Sequence, residues 1–64
     1  MIDTERLARE LHEAGREAVE RGAVVNKVPG QPFLGWDEIS EAAREGRRIQ
    51  ARYLLARFTI TEIA

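Results

Sequence analysis

Apolar or small side chains recur at Leu7, Leu11, Ala14 or Gly15, and Ala18 through the opening stretch IDTERLARELHEAGREAVERG, with charged residues between them. Spacing of i, i+4 and i+7 gathers these positions on one side of a helix turning 100° per residue. Asp3 is suited to cap that helix, because a short carboxylate accepts from the free N–H groups of a first turn. Ile2 before the cap and Leu7 after it are spaced to close a hydrophobic staple. Glu5 complements the positive end of the helix dipole, and Gly22 suits the left-handed residue beyond the last turn. The pattern predicts a helix over about residues 4–21.

The period then breaks. In AVVNKVPGQPFLG, Pro29-Gly30 signals a turn and Pro32 bars a helix nearby, so residues 22–36 read as a loop. Val24, Val25, Val28, Phe33 and Leu34 are too apolar for a free linker, which predicts an ordered connection folded over the helices as a lid. A short strand at Val24 and Val25 stays open, without a sheet being called for.

A second helical pattern starts near WDEIS, with Ser40 or Asp37 as its cap, and runs over about residues 38–58. Ala42, Ala43, Gly46, Ile49, Gln50 and Tyr53 share one side of it. Arg44, Arg47, Arg48 and Arg52 fall within roughly 140° on the other. Leu54, Leu55 and Phe58 turn toward the arginine side, where a monomer of two helices leaves them exposed, so they form a candidate oligomer interface. The tail, residues 59–64, is β-branched and short, with fraying, an edge strand and packing on a neighbouring chain all open to it. The expected fold is all-α, a hairpin of two main helices joined by a long ordered loop, completed by a third short element or by oligomerisation.

Sixty-four residues make one small domain, and a chain of this size buries only roughly 60% of the surface exposed when unfolded. It contains no cysteine and a single histidine, so disulfides and thiolate metal sites are excluded and self-association becomes the remaining staple. Ten basic residues against eleven acidic give a net charge of −1, which disfavours nucleic-acid binding driven by bulk charge. The first residues, MIDTERLARE, carry charge where a signal peptide needs an apolar run, and no apolar stretch reaches about 18 residues. The expectation is a soluble, cytoplasmic protein without membrane contact.

Four arginines in nine positions raise the question of an anionic partner. Glu41 stands three residues before Arg44 and Glu45 three before Arg48, which predicts local ion pairs for those two and none for Arg47 or Arg52. Either the face is ordinary solvated surface, or its guanidinium forks recognise phosphate. His12, at the edge of the first helix's apolar face, is read as a structural hydrogen-bonding group or else a ligand contact. Trp36 is either a core anchor at the helix entry or a stacking platform with one ring face open. No phosphate-binding glycine loop, metal-ligand cluster or matched nucleophile and base occurs, so neither catalysis nor a cofactor is expected.

LARELHEAGREA followed after a loop by GWDEISEAAREGRRIQA resembles the RyR domain, the module named after the ryanodine receptor repeats and found also in bacterial and phage proteins. The likeness rests on His12-Glu13-Ala14 with Arg16 and Ala18, on Trp36-Asp37-Glu38 and on Arg44-Glu45, and covers about residues 5–55. Gly15 stands where the receptor repeats carry an aromatic. The resemblance implies a helical interaction or ligand-sensing module, and a copy this short would suit a phage-encoded protein acting in the host cytoplasm. The leading expectation is a non-enzymatic module that captures an anionic, nucleotide-derived molecule through His12, Trp36, Arg44, Arg47 and Arg48 at a site shared between subunits of a homo-oligomer. The alternative is a protein-interaction or structural subunit acting through an apolar surface. A third reading lays the second helix on duplex DNA.

Overall fold

A computed structural model of the chain describes residues 1–22 and 33–63. The expected lid, the possible strand at Val24 and Val25, and the Pro29-Gly30 turn lie outside the described residues. Two helices, α1 (Thr4–Glu20) and α2 (Glu41–Leu55), pack against each other as an all-α hairpin, and no strand occurs among the described residues.

The N-terminal signals act locally as expected. Asp3 is extended, and its Oδ1 accepts from the Arg6 backbone N–H at 2.7 Å. Ile2 and Leu7, the staple pair, are both buried. At the other end the Gly22 N–H donates to the Val19 carbonyl at 3.1 Å, and Gly22 adopts φ +74°, a conformation glycine reaches without Cβ strain.

The second helix is shorter at both ends than its pattern predicts. Residues 35–39 form a separate turn, in which the N–H groups of Glu38 and Ile39 both donate to the Gly35 carbonyl while the Glu38 carboxylate accepts from the Gly35 N–H at 3.0 Å. Ser40 is extended after that turn, and its Oγ accepts from the Ala43 N–H at 3.2 Å. Of the two candidate caps, Ser40 therefore starts α2. At the far end the Phe58 N–H closes on the Leu54 carbonyl at 2.8 Å, and the chain leaves the helix axis.

The tail returns to its own chain. The Ile60 carbonyl accepts from the Ile2 N–H at 2.8 Å, and Glu62 lies 3.5 Å from Arg6. Ile2, Leu7, Ala8, Trp36 and Ala51 form the buried core, with Leu11, Ile39, Leu54, Leu55 and Ile60 packed around it. Ala8 and Ala51 are completely covered, one from each helix, and small side chains there let the two backbones approach.

Placing this core reverses the expected orientation of α2. Ala51 marks the inward direction, and Arg44, Arg47 and Arg48 share that side of the helix with Leu54 and Leu55. The two leucines pack on the core within one chain, which corrects the expectation that a two-helix monomer leaves them exposed. Phe58, beyond the last helical turn, does remain 60% exposed.

Candidate functional site

The residues singled out around His12 do converge. His12 projects from α1 into the interior and is only 5% exposed. Its Nε2 lies 2.7 Å from the Leu34 carbonyl, which only accepts, so Nε2 carries the proton. Arg47 Nε donates to Nδ1 across 3.4 Å. Both ring nitrogens are thus engaged from within the chain. The imidazole also sits 5.0 Å from the Phe33 ring and 6.3 Å from the Trp36 ring, centroid to centroid.

Trp36 is 5% exposed and belongs to the core. Its backbone N–H reaches the Glu13 carboxylate at 3.4 Å, and its carbonyl accepts from Arg44 Nε at 2.9 Å. The guanidinium carbons of Arg44 and Arg48 each stand 5.9 Å from its ring centre, within the range of cation–π attraction. Of its two sequence readings, the geometry is that of the core anchor.

The arginine cluster is satisfied both along α2 and across the fold. Arg44 pairs with Glu41 at 3.2 Å, as the spacing predicts. Arg48 instead grips Glu5 of α1 with two nitrogens, at 2.8 and 3.2 Å, and also holds Glu41. Glu45, expected to pair with Arg48, meets Arg52 two turns on at 3.0 Å, so Arg52 does have a partner. Arg47 donates to His12 and, at 3.0 Å, to Gln50, and faces no carboxylate among the described residues. Sequence reasoning missed Glu5 as a member of the cluster. It lies 43 positions before Arg48, beyond the reach of any helical spacing rule.

Hydrogen bonds from Arg48 hold the Glu5 and Glu41 carboxyl groups below their ordinary value of 4.5, and the same pairing raises the Arg48 guanidinium. A carboxylate with a lowered folded-state pKa stabilises the fold fully above its unfolded value, and that contribution fades as the pH falls through the lowered value. The urea midpoint is therefore expected to drop as acid is added below the ordinary 4.5, and Arg48→Met should flatten that drop. Equal acid sensitivity in parent and variant would show that this triad does not carry the effect.

The opposite side of α2 presents a different chemistry. Ala42, Gly46, Ile49 and Tyr53 line its outward face, with Ile49 and Tyr53 each 57% exposed. Beside this strip an apolar groove of about 400 Å³ runs between the helices, lined by Leu11, Ile49, Gln50, Tyr53 and Leu54. Arg57 stacks on the Tyr53 ring at 3.6 Å and donates to its carbonyl. Nothing in the sequence alone marked this side as the open one, because its apolar residues have the same spacing as a buried face.

Among the described residues no group of three or more His, Cys, Asp or Glu side chains converges as a metal site, and no helix is long and apolar enough to cross a membrane. Comparison with protein-family models, curated proteins and solved structures finds no match to the chain.

Proposed function

We propose that the protein is a small, non-enzymatic helical interaction module that binds another protein surface along the outer face of α2. The observation that carries this reading is the exposed strip of Ile49 and Tyr53 with its adjoining apolar groove. Among the described residues only five hydrophobic side chains are buried, while Ile49 and Tyr53 stay exposed on α2. Burial of a large aliphatic or aromatic side chain is worth roughly 1.5–3 kcal/mol, so a partner that covers the strip gains what the monomer forgoes. Gly46 supports the same reading. A glycine inside a helix costs about 1 kcal/mol relative to alanine, yet a Cβ built at Gly46 meets nothing within 4 Å among the described residues, so their packing does not require it.

The anionic-ligand reading keeps one favourable observation. Arg47 is half-buried beside His12 with no carboxylate opposite it among the described residues, while Arg44 and Arg48 are held by Trp36, Glu5 and Glu41. A rise in melting midpoint with one nucleotide class, absent in Arg47→Ala, would favour it. The RyR-like runs are compatible with either kind of module.

Affinity capture separates the two. The parent chain is expected to retain its binding partner, and a chain carrying Ile49→Lys with Tyr53→Lys is expected to lose it while keeping the same far-ultraviolet circular dichroism. Capture that is unchanged by the double substitution would overturn the assignment of the working surface to α2.

A further inference from the structure

We propose that the partner of the α2 strip is a second copy of this chain, joined in an antiparallel, two-fold α2–α2 seam; the proposal rests on the outer face of α2 being the working surface. The spacing of Ala42, Gly46, Ile49 and Tyr53 is four, three and four residues. That is the alternation of a helix-pairing seam, and Ala51, fully buried toward α1, stands on the far side of the same helix.

The order of sizes along the strip selects the direction of pairing. Its first two members are small and its last two are large. When a second α2 runs antiparallel, Ala42 lies opposite the other copy's Tyr53 and Gly46 opposite its Ile49, so each large side chain enters a space left by a small one. A parallel pair would instead set Tyr53 against Tyr53 and glycine against glycine, crowded at one end and hollow at the other. The absent Cβ of Gly46, idle within one chain, becomes the recess for Ile49 of the second copy.

Charge agrees with the same register. Glu45 and Arg52 flank the strip on one side, both about half exposed. In the antiparallel register each Glu45 faces the other copy's Arg52, which gives two ion pairs related by the two-fold axis, an arrangement a self-complementary interface requires. On the other flank Ala43 faces Gln50, with no like charges opposed. The groove lined by Leu11, Tyr53 and Leu54 adjoins this flank, so the second copy covers it at its edge.

Sedimentation equilibrium of the full chain tests the proposal. The parent is expected at twice its 7.3 kDa mass, and Gly46→Lys, whose Cβ meets nothing within 4 Å among the described residues, at the single mass with unchanged helicity. Glu45→Arg and Arg52→Glu should each weaken association about tenfold, because like charges then oppose each other, and an equimolar mixture of the two should restore it by pairing arginines with glutamates. A parent that stays at the single mass at roughly millimolar concentration, the weakest range worth calling association, overturns the second-copy assignment. So does a dimer indifferent to Gly46→Lys, and a mixture no tighter than its components overturns the antiparallel register. If the parent stays single while capture still fails with Ile49→Lys and Tyr53→Lys, the interaction surface stands and its partner is a different protein.

Discussion

Trp36→Ala is expected to leave the chain largely unfolded at room temperature. Truncating a buried aromatic costs about 3–5 kcal/mol, and a single core in a domain this small rarely supplies more than about 3–5 kcal/mol in total. Trp36 is the largest side chain of the core, and it joins three parts of the fold at once. Its ring packs with residues of both helices, its N–H is held from α1 by Glu13, and its carbonyl is held from α2 by Arg44. Loss of the ring also removes the surface over which Arg44 and Arg48 lie. Far-ultraviolet circular dichroism with a urea titration decides the matter. A cooperative transition within about 1 kcal/mol of the parent, the ordinary effect of a point substitution, would mean that the core closes without the indole.

His12→Leu is expected to cost about 2 kcal/mol even though leucine fills much of the same space. The Leu34 carbonyl loses its donor and Arg47 loses one of its two acceptors; a polar group left unpaired when buried costs about 1–3 kcal/mol, and these two sit in a partly buried setting. His12→Gln should recover part of the loss, because an amide can supply both a donor and an acceptor. The comparison isolates hydrogen bonding from packing. If leucine proves as stable as histidine in urea titration, the ring contributes as a hydrophobic filler and its polar contacts add nothing net.

The parts of this fold that were legible in the sequence are those fixed by neighbours a few positions away. Asp3, Ile2, Leu7 and Gly22 define α1 through contacts within a turn of its ends. Ser40 was one of two candidate caps for α2, and the choice between them fell to the turn that Gly35 and Glu38 close between themselves. The orientation of α2 was not legible, because it depends on partners far away in the chain. Arginines on a helix ordinarily signal the wet side, but Glu5, His12 and the Trp36 carbonyl supply acceptors on the side of α2 that packs on the hairpin, and Arg44, Arg47 and Arg48 turn toward them. Long arginine stems can cover apolar surface while their heads find such acceptors, and the small side chain of Ala51 leaves them room. The same inversion turned Leu54 and Leu55 from a supposed outer patch to pack, partly buried, against the core. Periodicity identifies which residues share a side, and the acceptors on the opposing helix decide which side is in.

The hydrogen bond between Ile2 and Ile60 also bears on how the chain is born. Among the described residues the buried positions of α1, Leu7, Ala8 and His12, are covered from beyond the helix by groups contributed from Phe33 onward, so a ribosome releases the whole of α1 before those groups exist. A helix such as α1 draws most of its stability from packing of its amphipathic face rather than from its own propensity. Folding is thus deferred until synthesis has passed Ile60 and the tail can settle beside Ile2. Until that moment the apolar face of α1 stays uncovered, and transiently exposed apolar surface is what makes a nascent chain prone to aggregation.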